Sequence, residues 1–204
     1  MSARGNRWPI AVLVPVIAVL VWSGISPFDR LTWFLEVMPA FAGLAVIFYT
    51  WRKFPLTPLV ATLIAIHMCI LAVGGKYTYA LVPVGNWLRD WLELSRNHYD
   101  RLGHFAQGFV PAMIARELFL RLNVVARRGW LSFLIVCVCL AISAVYELIE
   151  WSTALVLGQN SDAFLGTQGD PWDTQTDMFL AGVGAVCALA FLSRWHSRQL
   201  ARLE

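Results

Sequence analysis

The chain has 204 residues, 58% of them apolar and only 14% charged, with a formal net charge of +3. Soluble domains carry about 25% charged residues, and a mean hydropathy of +0.61 sets this chain apart from them. So apolar a chain is no disordered tail, and basic residues standing singly or in pairs make no nucleic-acid-binding stripe.

Six mostly apolar stretches are long enough to cross a bilayer: near 8–25, 33–51, 57–73, 102–121, 130–151 and 172–194. They predict an all-α, polytopic membrane protein, with residues 1–204 forming one helical membrane domain. The first span follows Arg4 and Arg7 and contains Pro9 and Pro15. No small-residue cleavage site follows Trp22-Ser23-Gly24-Ile25, so it reads as an uncleaved span rather than a signal peptide. The fourth span is the weakest in hydropathy, because it carries His104, Gln107, Arg116 and Glu117. Without it the ends of the chain fall on the wrong sides. Cys69, Cys137, Cys139 and Cys187 all sit inside apolar runs and read as small buried hydrophobes.

Basic residues give the direction. With the N-terminus inside, Arg52-Lys53, Arg127-Arg128 and the C-terminal Arg194, Arg198 and Arg202 fall on the cytoplasmic side. The outer segments hold only Arg30, Lys76, Arg89, Arg96 and Arg101, and the loop 152–171 holds no Lys or Arg. The expectation is N-in, C-in. Trp8 and Trp22, Trp33 and Trp51, Trp130 and Trp151, and Trp172 and Trp195 bracket four spans, where indole rings favour the headgroup layer. Trp87, Leu88, Trp91 and Leu92 share one face of a short helix near 86–96. It reads either as lying along the outer surface or as packed on the bundle.

Ionisable groups inside spans are expensive and have a task or a partner. Asp100, His104 and Gln107 share a helical face at the outer end of span four. Ser143, Glu147 and Glu150 do so at the outer end of span five. Asp173 and Asp177 stand one turn apart at the start of span six, beneath the loop Gly166-Thr167-Gln168-Gly169-Asp170. Asp170 reads as the N-cap of span six with Pro171 at its first position. The candidate site is therefore His104, Asp100, Glu147, Glu150 and Asp177, with the 166–170 loop as its cover. His104, Glu147, Glu150, Asp173 and Asp177 are the candidate ligands of a divalent metal ion, for which magnesium, manganese and zinc all suit. Metal-free acid–base chemistry by His104 and a paired carboxylate and a self-satisfied polar network are the alternatives. The Ala181-Gly182-Val183-Gly184-Ala185 stretch allows close approach to a neighbouring helix.

Other polar residues read as structural. Glu36, near Pro39, is a lone acid placed to face the same outer cavity, Arg116 and Glu117 form an ion pair, and His67 is a satisfied interior histidine. His98 and His196 are solvated.

The stretches SGISPFDRLTWFLEVMPA, GGKYTYALVPVG, SRNHYDRLGHFAQGFVPAMIARE, YELIEW and FLGTQGDPWDTQTDM resemble the YjdF-type inner-membrane proteins of bacteria, a family of unknown function. The resemblance spans about residues 20 to 200. It implies a bacterial inner-membrane location and a single helical domain, and supplies no reaction. An Asp and His opening one span, acids ending the next and Asp opening another also resemble the VanZ-like membrane proteins as a pattern of roles. The leading expectation is an enzyme acting on a lipid or lipid-linked substrate, with membrane lipids as partners and no nucleic acid. The rivals are a small-solute or ion transporter and a structural or partner-binding membrane module. Polar groups lining a route across the membrane mark transport, and a pocket closed at its floor marks an enzyme.

Overall fold

The computed structural model describes residues 8–158 and 165–203. Arg4 and Arg7, which weigh on the orientation, lie outside the described residues, as does the stretch 159–164 of the last loop. The helices are α1 (Trp8–Gly24), α2 (Arg30–Thr50), α3 (Pro58–Tyr77), α4 (Pro83–Trp91), α5 (Tyr99–Arg121), α6 (Leu131–Leu157) and α7 (Asp173–Leu200), with a 3-10 turn at Arg128–Trp130. Among the described residues there is no strand.

Local chemistry sets several boundaries. Asp29 caps α2, its side chain accepting from the Thr32 N–H at 2.7 Å. That bond holds the Asp29 carboxyl below the usual carboxylate range. Thr57 caps α3, with Pro58 at the first position where its missing N–H costs nothing. Helix α7 begins later than the sequence suggests. Trp172, not Asp170, occupies the N-cap position, and Pro171 stays outside the helix. Asp170 instead accepts the Trp172 N–H at 2.9 Å in a tight turn. Two glycines ahead of that turn, Gly166 and Gly169, have positive φ, which costs glycine nothing.

The chain folds as two helical groups. Helices α1, α2 and α3 pack around Val16, Leu20, Val37, Ala40, Met68 and Ala72. Helices α5, α6 and α7 pack around Ala112, Met113, Ile135, Cys139, Ala185 and Ala188. Helix α3 joins the groups by also packing on α5. Helices α5 and α7 run parallel and in the closest contact, as the small-residue stretch implies. A methyl group added at Gly108 would overlap the Ala181 carbonyl, and one at Gly184 that of Phe105.

Helices Arg30–Thr50 and Pro58–Tyr77, the segment Arg128–Val156, and Asp173–Leu200 are each long and apolar enough to cross a membrane, and Val12–Gly24 is a shorter apolar helix. Helix α5 is not apolar, and its packing explains why. More than half of its 23 residues are buried against α3, α6 and α7, so its surroundings are protein rather than lipid. At 1.5 Å per residue it is still about 34 Å long, comparable to the hydrocarbon core.

The tryptophans divide. Trp22, Trp51, Trp130, Trp151, Trp172 and Trp195 are exposed at helix ends, as headgroup anchors should be. Trp33 is partly buried, and its indole N–H donates to Ser23 Oγ at 2.9 Å, tying α2 to α1. Helix α4 starts three residues before the expected 86 and turns its aromatic face outward. Trp87 and Trp91 are 71% and 79% exposed, while Gly85 is buried against Asn97.

Candidate functional site

The three acid-bearing faces meet. His104 Nε2 stands 3.6 Å from Asp100 Oδ1 and 3.8 Å from Asp177 Oδ2, and its Nδ1 is 3.7 Å from Glu147 Oε1. Helices α5, α6 and α7 each contribute. All four side chains are more than nine-tenths buried or at that limit.

The spacing is informative. These gaps are too long for hydrogen bonds and approach the roughly 3–3.5 Å between two ligand atoms on one zinc-sized ion, as bond lengths of about 2.0–2.2 Å imply. Ligand atoms of Asp100, His104 and Asp177 all lie within 4.8 Å of one another. His104 Nδ1 faces Gln107 Oε1 at 3.3 Å. An amide carbonyl there makes Nδ1 the donor, so Nε2 presents its lone pair to two carboxylates. Only a proton or a cation reconciles that arrangement. Two buried carboxylate oxygens, Glu147 Oε1 and Asp177 Oδ1, and the nearby Ser143 Oγ have no hydrogen-bond partner. Buried polar atoms left so are costly.

Two members of the cluster, Asp100 and His104, line a cavity of about 240 Å³ between α2, α3, α5 and α6. Glu36, Tyr79, Asp100, His104, Tyr146 and Glu150 line its polar end, and Ile64, Val110, Pro111, Ile114 and Ile142 its apolar end. Glu36, read from sequence as a lone acid, is buried there and accepts the Tyr146 hydroxyl at 3.0 Å. His67 also lines the cavity, and its buried Nε2 has no partner. It is therefore not a satisfied histidine.

Asp173, the remaining candidate ligand, is held by an arginine. It pairs with Arg96, which also reaches Asp170 at 3.4 Å, Asp100 at 3.7 Å and the Gly166 carbonyl at 3.3 Å. Arg96 is only 5% exposed. Its place in the sequence is that of an outer-loop charge, yet it stands four residues before Asp100 and faces it. Among the described residues, Glu36, Glu147, Glu150 and Asp177 have no lysine or arginine within ion-pair distance.

The 166–170 loop is pinned over the start of α5. Gln168 exchanges two hydrogen bonds with the backbone of Asn97, at 3.0 and 2.9 Å. Arg101 reaches Asp170 at 2.7 Å. The Trp172 N–H first, then Arg101 and Arg96, hold the Asp170 carboxyl below the usual range. Asn97 is fully buried and also bonds the Val82 carbonyl and Asn86. Nothing in its sequence neighbourhood marks it. His98, expected to be solvated, is half-buried, and burial with Arg101 and Arg96 pushes its imidazole down.

A second polar cluster occupies the other end of α5 and α7. Arg116 and Glu117 do not pair with each other. Glu117 accepts from the Thr57 backbone and hydroxyl, from Arg121 at 2.9 Å and from His196 Nε2 at 3.0 Å. Arg116 bonds His196 Nδ1 and Ser197, both at 2.8 Å. His196, expected in a solvated tail, is fully buried.

The family profile described as "Predicted membrane protein (DUF2238)" matches residues 8–198. The inner membrane protein YjdF of Escherichia coli (strain K12) is 56% identical over 184 residues, covering 90% of this chain and 88% of that protein. Neither match supports the VanZ-like likeness. No solved structure matches.

Proposed function

The chain belongs to the DUF2238 family and is a multi-pass protein of the inner membrane, and on that premise we propose that it is a membrane enzyme acting on a lipid or lipid-linked substrate at the periplasmic leaflet. The proposal includes one helical domain with six crossings and both ends cytoplasmic. In support, α1, α2, α3, α5, α6 and α7 alternate in direction, and Arg116, Arg121 and Arg128 gather at the end opposite the acids.

The observation that carries the reading is the graded cavity, acid and histidine at one end and apolar at the other. Beyond its apolar end lies the packed cluster of Leu59, Val60, Met113 and Ile135. A floor of that kind favours turnover in place over passage to the far side. His104, Asp100 and Asp177 are the proposed holders of a divalent cation, which would polarise a phosphoryl or carbonyl oxygen. Glu147 and Glu150 are the proposed proton-handling groups. A lipid substrate is supported by an apolar groove between α2 and α6, where Leu31 and Leu35 face Val145, Leu148 and Ile149. The exposed Trp87–Trp91 face of α4 suits the same headgroup layer.

The test uses the purified full-length protein, titrated with magnesium, manganese and zinc and incubated with an inner-membrane lipid extract. One equivalent of cation is expected, with affinity falling at least about tenfold in His104→Ala and Asp177→Asn, together with loss of lipid turnover. A wild-type protein that binds none of the three cations and converts no lipid overturns the reading.

A further inference from the structure

At the end of the bundle opposite the acidic cavity lies a second hollow of about 570 Å³, lined by Arg116, Arg121 and Arg128 together with Leu131, Ser197 and Leu200. We propose that it is a binding site for a phosphate-bearing anion, in the first place the headgroup of an anionic membrane lipid. This rests on no assumption about the acidic cavity.

The charges there do not balance. Arg116 is only 9% exposed, yet its partners, His196 Nδ1 and Ser197, are neutral acceptors. His196 can accept from Arg116 on Nδ1 only by carrying its proton on Nε2, which it donates to Glu117. So the imidazole is neutral, and Glu117 reaches Arg116 only through it. Glu117 is also committed directly to Arg121. One carboxylate thus serves two arginines, and Arg128 at the rim adds a third positive charge with no acid lining the hollow among the described residues. A guanidinium buried without a counter-ion is expensive, and a planar fork of donors suits phosphate oxygens.

The surroundings select an amphiphile. Leu120, Leu131, Leu200 and Leu203 share the lining with the arginines, giving acyl chains an apolar wall below the headgroup. Exposed rings of Trp130 and Trp195 flank the region and place it in the headgroup layer. A volume of several hundred Å³ matches ordinary ligand sites, and basic pockets between membrane helices are suited to anionic headgroups.

The experiment compares full-length protein in nanodiscs of phosphatidylcholine alone with nanodiscs containing phosphatidylglycerol, and in detergent with added inorganic phosphate. Bound lipid is read by native mass spectrometry and thermal stability by melting. Phosphatidylglycerol should be retained and should raise the melting temperature, with an effect that shrinks as salt rises. Arg128→Gln, at the exposed rim where folding is not at stake, should weaken retention about fivefold. Arg128→Lys should keep part of it, and Arg89→Gln at the other end should change nothing. Displacement of phosphatidylglycerol by millimolar phosphate supports the same site with a soluble source. Equal retention of the two lipids, unchanged by Arg128→Gln and by phosphate, overturns the proposal.

Discussion

Helices α5 and α7 run side by side and carry a buried polar cluster at each end, and the two clusters differ in how fully they are satisfied. Glu117, with no exposure at all, receives Thr57, Arg121 and His196 on its two oxygens. Asp177 and Glu147, buried almost as deeply, each leave an oxygen without a donor, and His104 meets them only at 3.7–3.8 Å. The same helices, the same residue types and similar burial give opposite outcomes. A saturated carboxylate is part of the scaffold, since its bonds offset the cost of removing its charge from water. An unsaturated one is costly as it stands and gains from whatever completes it. The carboxylates of the His104 end are therefore the ones that a bound cation would complete, whereas Glu117 serves to hold α3, α5 and α7 together.

Truncating the saturated carboxylate should give the largest effect. Glu117→Ala leaves His196 and two Thr57 donors without an acceptor and Arg121 with only the Pro55 carbonyl, and breaking such a buried pair costs about 3–5 kcal/mol. Asp177→Asn, by contrast, removes a charge that has no full set of partners, so its melting temperature should hold or rise while cation binding falls. Thermal melts of the two variants in one detergent make the comparison directly. Equal destabilisation by both would erase the distinction between the clusters.

A smaller effect tests whether the two ends are held by one shared contact. A methyl group at Gly108 overlaps the Ala181 carbonyl, so Gly108→Ala must push α5 from α7. Overpacking of this kind costs about 1–3 kcal/mol. Because the separation lies between the clusters, both the melting temperature and the cation affinity should drop. A Gly108→Ala protein that melts and binds like the wild type would show that the clusters do not depend on this approach.

Much of this was legible in the sequence, and the reason is local. Hydropathy, the tryptophan positions and the i, i+4 spacing of Asp100 with His104 and of Asp173 with Asp177 are properties of single helices. Apart from helix starts, the misreadings concern partners distant in the chain. Glu36 faces the cavity as its place in the sequence suggests, but its partner Tyr146 comes from α6, 110 positions away. His196 and Glu117 are 79 residues apart, so adjacency suggested Arg116 as the partner of Glu117 instead. The counter-ion of Asp173, Arg96, stands in a segment that composition assigns to a loop. Helix α5 is weak by hydropathy for the same reason, since its neighbours rather than its own residues shield it.

The smallest predicted effect sharpens the boundary of the ligand-ready end. Asp170 belongs to neither cluster, but with Arg96 and Arg101 it ties the 166–170 loop over the start of α5. The Trp172 N–H, with Arg101 and Arg96, keeps its folded-state carboxyl below the usual range. A depressed carboxylate contributes stability that is complete above the unfolded-state value and is lost as pH falls through the folded-state value. At neutral pH the tie is therefore intact, and it loosens only in acid, beneath the ordinary range for aspartate. Asp170→Asn should reproduce that loosening at neutral pH. Amide hydrogens of residues 165–172 should exchange faster in the variant, while global melting stays close to wild type, because the tie is partly exposed and spans one loop. Once the intrinsic pH dependence of amide exchange is divided out, the same loss of protection should appear in wild type on acidification and be absent from further acidification of the variant. If exchange there is unchanged by the substitution, Gln168 and Asn97 hold the loop unaided, and Arg96 serves Asp100 and Asp173 alone.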